Sequence, residues 1–327
     1  MAQKILVTGT LPAEVMDPLR ERYEVEGHPE DRPMERRQLL SRIGDKDGLF
    51  CMITDAVDEE LLGRAPRLKM IANMGVGYNN IDVAAATRRG IPVSNTPGVL
   101  TDATADLAFT LILAVARRVV EGDRRVREGE FKLWAPFLFL GREVSGKTLG
   151  IVGFGRIGRA VARRARGFGM RVLYHNRNRL TPAEERESQA EYADLNKLLA
   201  QADFVSLHVP LSEETRYLIG TAELSRMKPT AYLINTARGP VVDEKALLAA
   251  LQKGAIAGAG LDVYENEPAL TPGLAELGNV VLLPHVGSAT LETRTGMAAM
   301  ASRNLIAGHS GERPPNLVNP EVLATSR

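Results

Sequence analysis

The chain has 327 residues, 44% hydrophobic and 25% charged, with 41 basic residues against 40 acidic ones. That length fits about two domains of roughly 100–200 residues, each able to bury a core, and the composition excludes wholesale disorder. A net charge of +1 gives no electrostatic pull toward nucleic acid, and no apolar run approaches the roughly 20 residues that span a bilayer. One cysteine, Cys51, excludes an internal disulfide and a multi-cysteine metal site; no metal is expected. Together with an opening MAQKILVTG that lacks a signal-peptide pattern, it points to a reduced, cytoplasmic setting.

In chain order, KILVTG (4–9) reads as a strand and PAEVMDPLRERY (12–23) as an amphipathic helix. GLFCMI (48–53), LKMIA (68–72) and IPVSN (91–95) read as further short strands. Apolar runs bounded by glycine and proline, without clean alternation, mark strands covered on both faces of a parallel sheet, hence an α/β fold. Pro97-Gly98 breaks this series, Thr101 is an N-cap candidate, and Asp102 and Asp106 suit the start of a helix. From Ala105 to Ala116 that helix is apolar nearly all round, which predicts burial between domains or subunits. After FKLWAPFLFLGREVSG, which holds the single tryptophan, a second α/β series starts at GKTLGIVG (146–153). It runs through RVLYH, FVSLH, AYLINT, AGLDV and VVLLP (280–284) to a helical stretch at 289–309 and a proline-rich tail read as a capping strand or loop.

Gly153-Phe-Gly155-Arg-Ile-Gly158 follows the strand TLGIV and opens the helix RIGRAVARRARGFG, and MRVLYH completes a βαβ unit. In that context Gly153 permits the tight turn, Gly155 lets a pyrophosphate approach the backbone, and Gly158 lets the helix pack on the strand. The helix N-terminus then offers free N–H groups and a partial positive charge to the phosphates. The end of the next strand discriminates between cofactors. NAD sites usually place Asp or Glu there for the ribose 2′-hydroxyl, whereas this chain reads Tyr174-His-Asn176-Arg177-Asn-Arg179. A carboxylate would repel a 2′-phosphate and an arginine can pair with it bidentately, so NADP(H) is expected ahead of NAD(H).

Of the five histidines, His28 and His309 lie in polar surroundings and are expected at the surface, and His175 stands beside the adenosine end of the cofactor. His208 and His285 each end a strand of the second sheet, where α/β proteins bind ligands. Three segments single out His285: INTARGPVVD (234–243), GLDVYENEP (260–268) and LLPHVGSAT (282–290) place Arg238, Glu267 and His285 just after strands. Reducing a 2-keto acid needs a cation for the carboxylate, a proton donor for the developing alkoxide, and a group that keeps that donor protonated. Arginine, histidine and glutamate supply these roles in that order.

With these segments in place, the chain resembles the D-2-hydroxyacid dehydrogenase family, and most of all its glyoxylate/hydroxypyruvate reductases. The resemblance covers nearly the whole chain. It rests on Asn73-Met-Gly-Val-Gly-Tyr-Asn-Asn-Ile-Asp82, Thr101-Asp-Ala-Thr104-Ala-Asp106, the glycine fingerprint, His208-Val-Pro-Leu-Ser-Glu-Glu-Thr215 and the three segments above, with Trp134-Ala-Pro-Phe-Leu-Phe-Leu-Gly141 pointing to glyoxylate reductases. It implies two Rossmann-like, doubly wound parallel-sheet domains with the active site in the cleft between them. Residues 1–99 plus 288–327 would form a discontinuous, flavodoxin-like substrate domain, and 100–287 the dinucleotide-binding domain. It further implies that the backbone at Val76 and Gly77 binds the substrate carboxylate, that Arg238 binds it and polarises the ketone, that His285 donates the proton and that Glu267 tunes it. Thr104, Arg156, Ile157, Val209, Pro210, Thr215, Thr236, Ala237, Arg238, Asp262, His285 and Gly287 would line the cofactor. Met52 stands where a small apolar residue commonly faces the substrate, and Trp134 would be a substrate contact or interface packing. A homodimer is implied as well.

The same residues leave rivals open: an NADH-dependent D-2-hydroxyacid dehydrogenase, a D-3-phosphoglycerate dehydrogenase, or a nucleotide-sensing scaffold like the corepressors of related fold. A chain ending at Arg327 would leave no room for the regulatory domain of many phosphoglycerate dehydrogenases. Formate dehydrogenases pair their catalytic histidine with glutamine rather than with a residue like Glu267.

Overall fold

The computed structural model describes residues 2–323 and divides into two compact units, one made of residues up to Leu100 with those from Ala289 onward, the other of Thr101–Ser288. The first unit runs β1 (Lys4–Val7), α1 (Ala13–Arg20), β2 (Glu24–Gly27), α2 (Arg36–Arg42), β3 (Gly48–Met52), α3 (Glu59–Gly63), β4 (Met70–Met74), α4 (Val83–Arg88) and β5 (Val93–Ser94). Its strands form an all-parallel sheet in the order β2-β1-β3-β4-β5. The second unit starts with α5 (Thr101–Ala116), α6 (Val119–Arg127), β6 (Thr148–Val152), α7 (Arg156–Gly167), β7 (Arg171–His175), α8 (Pro182–Ser188) and β8 (Ala190–Tyr192). It continues with α9 (Leu195–Gln201), β9 (Phe204–Leu207), α10 (Thr221–Arg226), β10 (Tyr232–Asn235), α11 (Glu244–Gln252), β11 (Gly258–Leu261) and β12 (Val280–Leu282). The sheet order is β12-β11-β10-β9-β6-β7-β8, again all parallel, and it reverses direction between β6 and β9. Such a reversal leaves a crevice at the carboxyl ends of the strands, the place where open α/β sheets take ligands. The chain then returns to the first unit as α12 (Leu291–His309).

Both faces of each sheet are covered, as the unalternating strands require. In the first unit Leu6, Leu49, Ile71 and Val93 pack with Leu39, Ile43 and Leu61 on one side. Ile5, Val7, Phe50, Met70 and Ala72 pack with Leu19 and with Ala298, Ala301 and Leu305 of α12 on the other. Aspartates mark helix starts: Asp58, Asp82, Asp194 and Asp243 each accept a backbone N–H in the first turn of α3, α4, α9 and α11.

Several expectations need correction. The edge strands β2 and β8 escape a reading based on apolar runs because EVEG and AEY are short and polar. Thr101 is the first helical residue of α5 rather than its cap. The apolar surround of α5 is met inside its own unit, against α7 and strands β10, β11 and β12, with the Phe109 and Phe168 rings 4.8 Å apart. Exposed apolar surface lies instead just beyond it, at Val119, Val120, Val126, Phe131, Leu133, Trp134, Phe137, Leu138 and Leu140. His28 is buried and His309 half-buried, and among the described residues none of their ring nitrogens has a hydrogen-bond partner. His309 stands four residues after Leu305, so helical spacing carries it onto the face of α12 that meets the sheet, over Gly48 and 5.5 Å from the Tyr23 ring. Among the described residues no helix is long and apolar enough to cross a membrane.

The tail is a loop stitched to β5. Val318 N–H donates to Val93 O at 2.7 Å, and buried Asn319 accepts from Val93 N–H at 2.8 Å while donating to Ile91 O at 3.0 Å and Thr87 Oγ1 at 2.9 Å. Asn319→Ala strands these groups in a dry site and should destabilise the protein by about 1–3 kcal/mol. Urea unfolding checks this; a change below about 0.5 kcal/mol, the scatter of surface substitutions, would contradict the assignment.

Candidate active site

Within the second unit, β6 gives way at Gly153 (φ +94°), whose N–H donates to His175 O at 2.9 Å. A Cβ there would stand 2.6 Å from the carbonyl carbon of His208, so both the turn and its approach to the chain beyond β9 demand glycine. Gly155 is the N-cap of α7 and makes no side-chain capping bond; Arg156, Ile157 and Gly158 form the first turn. The opening N–H groups of a twelve-residue helix are thus left for an anion. Asn176, just past β7, accepts from Phe154 N–H at 2.7 Å and fixes the glycine loop from the neighbouring strand.

The two arginines that follow differ. Arg177 is exposed, and its charge, after the hydrogen bond from the Ser212 hydroxyl, helps hold the Glu214 carboxyl below its usual range. Arg179 forks onto Glu185 at 2.8 and 3.0 Å, and with the Tyr174 hydroxyl pulls that carboxyl down to about 2. Beyond β9, Thr215 Oγ1 donates to Pro210 O at 2.6 Å and accepts from Ser212 N–H at 2.8 Å, closing the turn that carries Val209 and Pro210. Beyond β10, Asn235 accepts from Ala237 N–H and donates to Arg238 O, both at 3.0 Å, while the buried Thr236 hydroxyl finds no partner among the described residues. An orphaned hydroxyl at the end of β10, on the same sheet edge as the glycine turn and open helix terminus after β6, fits a nicotinamide dinucleotide that brings its own polar atoms.

The His285–Glu267 pair is built beyond the ends of β11 and β12. His285 has a left-handed backbone (φ +53°), a conformation uncommon outside glycine. Asp262 imposes it: His285 N–H donates to Asp262 O at 2.9 Å, and Val286 and Gly287 N–H both donate to the Asp262 carboxylate at 2.8 Å. Thr104 of α5 lies against the same turn, within 3.7 Å of where a Cβ of Gly287 would stand. His285 Nδ1 donates to Glu267 Oε2 at 2.7 Å, and Glu267 Oε1 accepts from Tyr264 N–H at 2.9 Å. The carboxylate is therefore gripped at both oxygens and holds the ring through Nδ1. Burial pushes the Glu267 carboxyl up, but the His285 hydrogen bond and charge, the Tyr264 N–H and Arg238 together leave it below its ordinary value.

Arg238 is held against this pair by an unusually close approach. A Cβ on Gly239 would overlap the Tyr264 carbonyl, so only glycine lets the chain after β10 lie on the loop that carries Glu267. Burial lowers the Arg238 guanidinium from its ordinary value and the Glu267 charge opposes that shift. His208 is different in kind: burial pushes its ring down to about 3, so it is neutral at pH 7, with Ser206 Oγ 2.8 Å from Nε2. One contributor escapes sequence reading: buried Glu244, in the first turn of α11, accepts from Glu265 N–H and from Thr271 Oγ1 and so braces the loop on both sides of Glu267. Its only sequence signal is an acidic residue directly after the cap Asp243.

In the first unit, Val76 and Gly77 form the turn after β4, and Met52 ends β3 with its side chain over Gly9. Cys51 is a buried packing residue whose thiol burial pushes up, as expected of a small hydrophobe. Trp134 is exposed on the apolar segment after α6, lining a hollow of about 400 Å³ with Arg125, Leu133, Leu138 and Phe139; Arg238, Glu267 and His285 are not among its walls.

Comparison with known proteins agrees with this geometry. Residues 109–287 match the model for the D-isomer specific 2-hydroxyacid dehydrogenase NAD binding domain, a span that ends two residues beyond His285. The glyoxylate reductase of Thermococcus litoralis is 55% identical over 330 residues, covering 100% of this chain and 99% of that protein. The chain belongs to the D-isomer specific 2-hydroxyacid dehydrogenase family. Solved structures agree with that membership. A glyoxylate reductase from Paecilomyes thermophila is 40% identical, with 98% and 99% of the two chains covered and a TM-score of 0.87. An NADPH-dependent glyoxylate/hydroxypyruvate reductase from Sinorhizobium meliloti, solved with NADP and malonate, is 35% identical over 97% of each chain, also with a TM-score of 0.87. Both sheets have the Rossmann-like parallel form of this family.

Asp262 is the side chain on which this family's histidine turn depends here. Asp262→Ala frees two backbone N–H groups in a buried turn and releases a left-handed residue, which should cost about 2–4 kcal/mol and displace His285. Chemical denaturation alongside turnover checks this: both should fall, and a variant with near-normal turnover would show that the turn holds itself.

Proposed function

We propose that this protein reduces small 2-keto acids, glyoxylate to glycolate and hydroxypyruvate to D-glycerate, with NADPH preferred to NADH. The observation that carries the proposal is the His285–Glu267 pair, with Arg238 against its loop, inside a unit that also presents the glycine turn and open helix terminus of a dinucleotide site. The names of the similar reductases support the substrate class, and the NADP and malonate bound to the Sinorhizobium meliloti reductase support the cofactor and a carboxylate-bearing ligand.

In this reading the second unit is the dinucleotide domain and the first serves the substrate. When bound, the nicotinamide cofactor supplies a hydride to the carbonyl carbon. Gly153, Gly155, Arg156, Ile157 and Gly158 hold its pyrophosphate, Thr104, Val209, Pro210, Thr215, Thr236, Ala237, Asp262 and Gly287 line it, and Asn176 and Arg177 receive the 2′-phosphate end. Arg179 is already forked onto Glu185, so Arg177 is the arginine left to discriminate. Arg238 binds the substrate carboxylate and polarises the ketone, since a planar, always-charged fork suits both tasks. His285 delivers a proton from Nε2 to the oxygen that gains charge, while Glu267 holds the ring in that orientation and balances the imidazolium. The N–H groups of Val76 and Gly77 take up the substrate carboxylate, and Met52 limits the space beside it. The exposed apolar segment with Trp134 is assigned to the interface of a homodimer, since a contiguous apolar patch of this kind marks a protein contact.

One rate panel tests the proposal: NADPH and NADH crossed with glyoxylate, hydroxypyruvate, pyruvate and phosphohydroxypyruvate. Glyoxylate and hydroxypyruvate with NADPH should be fastest; preference for phosphohydroxypyruvate would move the assignment to a phosphoglycerate dehydrogenase, and tight NADPH binding without turnover would make the protein a sensor. His285→Ala should depress kcat by at least about 100-fold, the scale of general acid catalysis, with NADPH binding largely intact. Near-normal turnover would remove His285 from its role. Arg177→Ala should weaken NADPH much more than NADH in fluorescence titration, and equal effects on both would sink the NADP assignment.

A further inference from the structure

The turn after β4 is tied down carbonyl by carbonyl. Thr96 N–H donates to Gly75 O at 2.9 Å, Asn95 Nδ2 to Val76 O at 2.8 Å, and Asn73 Nδ2 to Gly77 O at 2.9 Å. The N–H groups of Val76 and Gly77 meet no protein acceptor among the described residues. A trans peptide is planar, with the N–H of one residue pointing opposite to the C=O of the residue before it. Each of these bonds therefore aims a donor: Thr96 aims the N–H of Val76, and Asn95 aims the N–H of Gly77. Asn73 fixes the last peptide of the turn and keeps it from rotating inward. A carbonyl that accepts a hydrogen bond also polarises its own peptide and strengthens the N–H on the far side.

From this arrangement we propose that Asn95 is a positioning residue for substrate, holding the Gly77 N–H ready for a carboxylate, while Asn73 anchors the next peptide of the same turn. The inference rests on the proposed reading that the Val76 and Gly77 N–H groups receive the carboxylate of a 2-keto acid. Asn73 is wholly buried, and its Oδ1 lies 3.3 Å from Asn80 Nδ2, which also reaches Met52 O at 3.2 Å and Asp55 O at 3.0 Å. One amide thus joins the carboxylate turn to the end of the strand that carries Met52. Asn95 is fixed from the returning helix. Asn304 of α12, wholly buried, donates from Nδ2 to Asn95 O at 3.1 Å and accepts from Asn316 N–H at 3.2 Å, while Asn95 N–H donates to Asn316 O at 3.2 Å. The last helix therefore reaches the substrate turn through Asn304 and Asn95, without touching the turn itself by any of these bonds.

The test is Asn95→Ala in the full-length protein, with Asn304→Ala as a second variant that loosens Asn95 and leaves the bond-making amide in place. Four quantities are read: KM and kcat for glyoxylate, the dissociation constant of oxalate as a non-reducible carboxylate, the dissociation constant of NADPH, and Tm. Asn95→Ala should raise KM and the oxalate constant about tenfold, as expected for one misaimed charge-assisted donor, with kcat within about threefold and NADPH binding unchanged. Asn304→Ala should move the same two constants in the same direction by less, and it decides the matter alone if Asn95→Ala does not fold. A merely structural role would lower Tm and the active fraction while leaving KM and the oxalate constant within about twofold of the parent, and that result overturns the inference. Amide NMR of the parent protein separates the two layers. If Val76 and Gly77 N–H resonances do not shift as oxalate saturates, the carboxylate reading itself fails and the inference falls with it. If they shift in the parent and shift equally in Asn95→Ala, with KM unchanged, the inference alone fails.

Discussion

A single buried carboxylate governs the reacting end of the second unit. Asp262, almost without solvent contact, accepts the N–H groups of Val286 and Gly287. Burial pushes its carboxyl up while those two donors oppose the shift, so its hydrogen bonds offset much of its desolvation. Because the backbone of the same residue accepts from His285 N–H, the ends of β11 and β12 are clamped together around a left-handed histidine. The connection between those two strands carries Glu267, so His285 and Glu267 hang from one clamp. Relax it, and the 2.7 Å contact between Nδ1 and Oε2 is held from the Glu267 side alone, by Tyr264 N–H and the Glu244 brace.

Sheet polarity explains why the other groups gather on the same side. In an all-parallel sheet every strand delivers its carboxyl end to one edge, and the order reversal leaves a crevice there. Gly153 follows β6, Asn176 follows β7, Val209 follows β9, Arg238 follows β10, Asp262 follows β11 and His285 follows β12. Functional positions spread over more than a hundred residues of sequence are thus collected by topology, before any side chain chooses a rotamer. The first unit obeys the same rule on a smaller scale, with Met52 closing the buried run of β3 and the Val76–Gly77 turn following β4.

How far the sequence can be read follows from the range of the forces involved. Buried strands such as TLGIV and YLIN announce themselves by local apolar runs, and the glycine loop by spacing, so the fold class and the position of Arg238, Glu267 and His285 beyond strand ends are legible. Edge strands are not, because EVEG is held by its pairing with β1 rather than by its own composition. His28 and His309 read as surface residues because polar neighbours in sequence say nothing of what the folded chain lays against them; for His309 that is the sheet under α12. Asparagine contacts such as Asn319 with Val93, or Asn304 with Asn95, join residues more than two hundred positions apart, and no local pattern encodes them. The pairing of Arg179 with Glu185 is also invisible in the sequence, although it sets Arg179 apart from the neighbouring Arg177.

The return of α12 to the first unit has a consequence for biosynthesis. Ile5, Val7, Phe50, Met70 and Ala72 form one face of the first sheet, and their cover includes Ala298, Ala301 and Leu305. A ribosome adding about 5–20 residues per second needs roughly 10–40 s to travel from the end of the first stretch to that helix. By the end of that interval the second unit has all its strands and can close, while the earlier-made unit still lacks the part of its sheet cover that α12 brings. The nascent chain therefore completes its middle before its beginning, and its period of greatest stickiness is set by the speed of translation rather than by the stability of the finished protein.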